Sequence, residues 1–308
     1  MLTTHIVRTL SLSPTPRLPA SGRHLSAASG LAQVGQQLYV IADDELSLAR
    51  FDLDGDAHGT LVALFEGALP ASHDARKVAK PDLEALALLP ARPEHRFGAM
   101  MAFGSGSRAN RQRVALFVLS AHGELDGPPR TVELAPLYEP LRAALPDLNI
   151  EGAFIAGDAL CLLQRGNARA GVNACVRFEL GAFTAWLHGQ AAAPAAESIT
   201  RFELGDIDGV PLGFTDGTPL SEGGWLFSAA AEDTLDPYLD GRCAGSVVGL
   251  VDAAGAIRRI ERLSGKHKVE GVSASADGLA LKLLMVTDAD ERQSPALLLS
   301  ASLEPIPR

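Results

Sequence analysis

Asn149-Ile150-Glu151-Gly152-Ala153 sets an acidic residue inside a short β-type run. A turn at Gly157-Asp158 follows, then a second apolar strand, Leu160-Cys161-Leu162-Leu163, which ends in Gln164-Arg165-Gly166-Asn167. The same phrase recurs along the chain. Asp82-Leu83-Glu84-Ala85-Leu86 leads to Met100-Met101-Ala102-Phe103, and Lys268-Val269-Glu270-Gly271-Val272 leads to Leu283-Leu284-Met285-Val286. Two variants carry hydroxyls in place of the carboxylate. Ser29-Gly30-Leu31 precedes Leu38-Tyr39-Val40-Ile41, and Gly213-Phe214-Thr215-Asp216 precedes Trp225-Leu226-Phe227. Positions 29, 84, 151, 215 and 270 are separated by 55, 67, 64 and 55 residues. Self-similarity at a roughly constant period marks a repeat architecture. Five such units fill a chain of 308 residues, and each has room for a four-stranded sheet with hairpin turns. The reading is all-β: a five-bladed β-propeller spanning 1–308 as a single domain, with six blades as the alternative count.

The ends of the chain fit that reading. Residues 5–12, His5-Ile6-Val7-Arg8-Thr9-Leu10-Ser11-Leu12, alternate as a half-buried strand does. They stand before the first repeat, whereas the last repeat stops after its third strand, Leu297 to Leu303. The N-terminal strand is therefore expected to complete the last blade and remove an open sheet edge. Between repeats, a helical turn is expected near Leu137 to Leu145, and an exposed connection at Gln190 to Ala196.

Composition narrows the function classes. Net charge is -10 and the pI is near 5.3, which speaks against nucleic acid or an anionic membrane as partner. Cys161, Cys175 and Cys243 form no CxxC and no pair pattern, so neither disulfides nor zinc is expected. The apolar runs are too short and too interrupted to span a bilayer. The first residues do not read as a signal peptide, so a cytoplasmic location is expected. Gly104-Ser105-Gly106-Ser107 lacks the Gly-Lys-Ser/Thr of a P-loop, and no Gly-x-Ser-x-Gly elbow is present. His73, His95, His122 and His188 fall in turns or loops and are read as solvated; His267, beside Lys268, is nearest the repeat residues.

In a propeller the first strand of each blade lines the central channel. Glu84, Glu151 and Glu270 then point three carboxylates at one another, and Ser29 and Thr215 add two hydroxyls. Like charges at close range need raised pKa values or a cation. A hard cation with about 6 to 8 oxygen ligands suits this irregular ring. Ser29, Glu84, Glu151, Thr215 and Glu270 are the expected metal ligands, with calcium the expected ion and magnesium the alternative.

The order hydroxyl, Glu, Glu, hydroxyl, Glu resembles the soluble calcium-activated nucleotidases, or soluble apyrases. Ser29-Gly30-Leu31 with Asp43-Asp44, Gly213-Phe214-Thr215, and Lys268-Val269-Glu270-Gly271 are similar to that family's wording. The resemblance implies a five-bladed propeller with an axial calcium ion, hydrolysing nucleoside di- and triphosphates. The inner-strand phrases are also similar to a bacterial propeller family without an assigned activity. A catalytic arrangement follows from the residues at the strand ends near the ion. Arg108 and Arg165 offer forks for phosphate oxygens, and Asp44 or Glu232 orients a water. Asp43, Lys80, Ser105, Asn167, Lys268 and Asp288 complete a site for a small anionic ligand. Two function classes result: a metal-dependent hydrolase of phosphate esters or anhydrides, and a non-catalytic propeller with a structural ion that binds a small molecule, glycan or protein.

Overall fold

The computed structural model describes residues 1–14, 24–55, 57–166, 171–221, 223–233 and 242–304. Strand β1 (His5–Thr9) lies ahead of the first blade in the chain. Blade 1 is β2 (Ala28–Val34), β3 (Gln37–Ala42), β4 (Ser47–Asp52) and β5 (Thr60–Ala63). Helix α1 (His73–Ala79) leads to blade 2: β6 (Leu83–Leu89), β7 (Ala99–Gly104), β8 (Arg113–Leu119) and β9 (Leu125–Glu133). A helical turn, α2 (Ala135–Tyr138), precedes blade 3: β10 (Ile150–Ala156), β11 (Ala159–Gln164), β12 (Asn173–Glu179) and, after helix α3 (Leu180–Leu187), β13 (Ser198–Phe202). Blade 4 opens with the short β14 (Asp206–Ile207) and continues with β15 (Val210–Pro219), β16 (Trp225–Asp233), β17 (Arg242–Val251) and β18 (Ile257–Arg262). Blade 5 holds β19 (Lys268–Asp277), β20 (Ala280–Asp288) and β21 (Leu297–Leu303).

Blade 5 takes its fourth strand from the other end of the chain. β1 pairs antiparallel with β21, His5 opposite Ser300 and Thr9 opposite Leu297. The strand order β1-β21-β20-β19 closes the ring as the sequence requires. The inner strands β2, β6, β10, β15 and β19 touch in that order, and β19 returns to β2. Five antiparallel sheets thus make a five-bladed propeller.

The five repeat residues share one backbone feature that the period did not reveal. Each inner strand has a register break, between Ala28/Gly30, Leu83/Ala85, Ile150/Gly152, Phe214/Asp216 and Val269/Gly271. The residue skipped in each case is Ser29, Glu84, Glu151, Thr215 or Glu270. A β-bulge bends its strand and re-aims the side chain of the extra residue.

The glycine after several of these residues has a reason of its own. A Cβ on Gly271 would stand 2.9 Å from Gly30 Cα, and one on Gly152 would stand 3.0 Å from Asp216 Cα. Adjacent inner strands approach too closely there for a side chain. Gly271→Ala should therefore cost about 1–3 kcal/mol, the usual range for overpacking, as a lower urea midpoint with an unchanged m-value. Wild-type stability in that variant would show that the ring can spread.

The cores lie between blades. Phe154 of blade 3 packs against Trp225 of blade 4 with ring centroids 5.2 Å apart, and Trp225 packs in turn against Phe214 at 5.8 Å. Helix α3 is an addition to the expected strands. It buries Leu180, Phe183, Thr184 and Leu187 at helical spacing. Its N-terminus is capped by Glu179, which accepts from the amides of Gly181 and Ala182 at 2.7 and 2.6 Å. Among the described residues, no helix is long and apolar enough to cross a membrane.

Candidate functional site

The bulged inner strands and the ends of the second strands surround a cavity of about 450 Å³. Eleven carboxylates and eight cationic side chains line it. Glu84, Glu151 and Glu270 are all in the wall, and so is Ser29. Thr215 is buried behind it.

The two hydroxyls have work in the scaffold. Ser29 Oγ donates to the Leu83 carbonyl at 2.5 Å, and Thr215 Oγ1 donates to the Val269 carbonyl at 2.8 Å. Each thus ties its blade to the residue just before the next blade's glutamate. That is the physical reason a hydroxyl precedes Glu84 and Glu270 in the ring order. It also corrects the expectation that Thr215 faces the channel as a ligand.

The carboxylates are not left to repel one another. Arg165 runs through space that Gly213 leaves open, since a Cβ there would meet its Cγ at 2.9 Å. Its Nη1 is 3.4 Å from Glu151 and 3.6 Å from Glu270, and its Nη2 is 2.9 Å from Glu232. Lys268 Nζ stands 2.6 Å from Glu232, 3.3 Å from Glu270, 3.0 Å from Asp288 and 3.1 Å from Asp290. Across the cavity, Lys80 Nζ bonds Asp43 and lies 2.9 Å from Asp82. Arg111 Nη1 donates to Asp82 at 2.7 Å.

Four cations for eight inner carboxylates leave an excess of negative charge, and the ionisation of the site records it. Burial pushes the Glu270 carboxyl up to about 8 against Lys268 and Arg165. Burial pushes Asp43 up to about 7 against Lys80. Glu84 is raised well above the carboxylate range by burial and by Glu151. Burial acts on Glu232 too, but Arg165 and Lys268 outweigh it and hold that carboxyl at about 2. Both oxygens of Glu270 and Oε1 of Glu232 lack a well-angled hydrogen bond, although Lys268 stands close to both residues.

Three of the carboxylates converge. One oxygen each of Asp43, Asp82 and Glu84 lie within 4.8 Å of one another. Such an oxygen-only cluster suits a hard dication. It is an off-axis corner of the ring rather than its centre, where the Arg165 guanidinium sits between Glu151 and Glu270.

The other expected residues divide. Asp43, Asp44, Lys80, Arg165, Glu232, Lys268 and Asp288 line the cavity. Asp44 is held by Arg76, whose Nε is 3.2 Å from its Oδ2. Ser105 is fully buried and donates to Asp82 at 2.5 Å, supporting the wall rather than lining it. Arg108 is not in the wall either; the 3₁₀ turn Ala109–Arg111 delivers Arg111 instead. Asn167 lies outside the described residues. Sequence reasoning missed Asp82, Arg111, Arg76 and Arg142. Asp82 left one trace, since Lys80-x-Asp82 repeats the spacing of Lys268-x-Glu270, but its left-handed φ of 56° has no signature in an Asp. His95 is corrected outright: it is 1 % exposed rather than solvated.

Fold and site together define a five-bladed β-propeller with a charged axial cavity rich in carboxylates. The chain belongs to DUF6929, a family of unknown function, whose profile matches residues 24–303. No curated protein sequence matches the chain significantly. Among solved structures it is similar to the glutaminyl cyclase of Myxococcus xanthus, with 11 % identity and a TM-score of 0.52 over 98 % of this chain and 97 % of that one. It is equally similar to the catalytic domain of the Coprinopsis cinerea GH62 α-L-arabinofuranosidase, with 11 % identity and a TM-score of 0.52 over 98 % and 97 % of the two chains. At such identities the likeness is one of fold.

Proposed function

We propose that the axial cavity binds a calcium ion and that the protein hydrolyses phosphate esters or anhydrides, nucleotides among them. The observation that carries this reading is the surplus of carboxylates: Glu270 has both oxygens buried without a hydrogen bond, and Asp43, Asp82 and Glu84 bring three oxygens within 4.8 Å. Asp43, Asp82 and Glu84 would hold the ion, with Glu270 and Glu151 elsewhere in the same wall. A bound dication supplies Lewis-acid polarisation of a phosphoryl oxygen. Arg76, Arg142 and Arg292 in the same wall are suited to anionic oxygens. Glu232, whose carboxyl is held at about 2 by Arg165 and Lys268, is too weak a base to take a proton at neutral pH. Glu232 serves as the strut for Arg165 and Lys268. The similarity of the inner-strand phrases to calcium-activated nucleotidases supports the same reading.

Calcium should raise the melting temperature, and a chelator should lower it, by mass action on the folded state. Glu84→Gln should remove most of that response. Identical melting of the wild type with and without calcium would count against the ion. A panel of nucleotides, phosphoesters and lactones, assayed with calcium or magnesium, tests turnover. The second class, a non-catalytic propeller, is favoured by one observation: Arg165 and Lys268 already draw Glu151, Glu232 and Glu270 together. A calcium response without turnover of any panel member would select it.

A further inference from the structure

Two histidines meet on the face of the propeller away from the cavity. His95 sits in the turn between β6 and β7, at the end of β6 remote from Glu84. His188 caps the C-terminus of α3, which follows β12 at the same end of blade 3. Their ring centroids are 5.6 Å apart with the planes inclined at 34°. His95 is buried and His188 half-buried. Nε2 of His188 and both ring nitrogens of His95 are buried without a well-angled hydrogen bond, although the backbone of His95 and Pro90 lies close to the His95 ring. Buried polar atoms normally find well-formed partners, so under-satisfied nitrogens on two facing rings call for a cause.

The surroundings bear on what that cause is. Blades 2 and 3 are joined here by Arg130 Nη2, which donates to the Leu187 carbonyl at 2.8 Å, and by Gln190 Nε2, 3.4 Å from Glu94 Oε1. Glu94 is the anion facing both rings, while Arg92 and Arg130 are cations beside them. Burial, the larger effect at each ring, holds both imidazoles below their ordinary pKa. They are therefore neutral at pH 7, with a lone pair available on each. Neutral imidazole is a ligand for borderline dications, whereas calcium prefers oxygen.

We propose that His95 and His188 form a second metal site, for a borderline transition-metal dication of the zinc class, with water completing the ligand shell. The ion links blade 2 to blade 3 and is independent of the cavity. Zinc chloride titrated into the full-length protein in excess calcium, followed by calorimetry and thermal melts at pH 7.5, should reveal one saturable site and a rise in melting temperature. His188→Gln, at the less buried position, should abolish both while leaving the circular dichroism spectrum and the calcium response unchanged. His95→Gln should do the same, and lowering the pH to 5.5 should weaken zinc binding as the imidazoles protonate. The proposal is overturned if the folded wild type shows no saturable zinc binding, or if that binding survives His188→Gln.

Discussion

A chain lacking residues 1–12 should yield no cooperatively folded monomer, and the recovered material should aggregate. The segment is more than an outer strand. Leu10 and Leu12 are 0 and 2 % exposed, in a core shared with Leu25, Leu31 and Val286. Replacing either by Ala should alone cost about 2–5 kcal/mol. Arg8 donates to the carbonyls of Asp52 and Gly55 in blade 1, each at 2.6 Å. Thr4 bonds Ser264 at the other side of the junction, its amide 2.8 Å from Ser264 Oγ. The segment thus joins the first blade to the last, and without it β21 becomes an open edge. The sum of these losses reaches the whole stability of an ordinary domain, about 5–15 kcal/mol. Gel filtration and circular dichroism of the truncated chain decide the matter, and a monomer melting near the wild-type temperature would show that β1 is dispensable.

This closure was legible because it needed only a count of strands: one too many before Ser29 and one too few after Leu303. The ring was legible for a similar reason. A period near 60 residues brings Glu84, Glu151 and Glu270 to equivalent stations whatever the details of each blade. What the period could not carry was orientation. The bulge that aims each repeat residue is a break in backbone pairing, and no residue type announces it. Thr215 and Ser29 look like ligands by position, yet their hydroxyls hold neighbouring blades together. Asp82 and Arg111 enter the cavity through a left-handed backbone and a 3₁₀ turn, neither of which has a pattern in the sequence. His95 failed for the opposite reason: a turn residue was assumed to be wet, but α3 of the next blade brings His188 over it.

Arg165→Met should destabilise the protein by about 3–5 kcal/mol at pH 8, the usual cost of leaving buried charges without their partner, and by much less at pH 5. The guanidinium is 10 % exposed and answers Glu151, Glu232 and Glu270 together. Met fills a similar volume, so the loss is one of charge. The pH dependence follows from the carboxyl groups. Glu270 has a folded pKa of about 8, above the unfolded value of about 4.3. Its contribution to stability is therefore fully present below pH 4.3 and lost as pH rises through 8. Without Arg165 the folded values of Glu270 and Glu151 rise further, so the loss over that window deepens. Glu232 runs the other way. Its folded value of about 2 gives a contribution present above pH 4.3, and removing Arg165 erases part of it at every pH where Glu232 is ionised. The Glu270 and Glu151 change steepens the decline from pH 5 to 8, whereas the Glu232 loss is nearly constant over that range. Urea titrations at pH 5, 6.5 and 8 read the slope, and calcium added at pH 8 should recover part of the loss by supplying the missing positive charge. A penalty equal at all three pH values would mean that Arg165 acts through Glu232 or through packing, and the cavity would then have to tolerate Glu151 and Glu270 by some means other than the guanidinium at its centre.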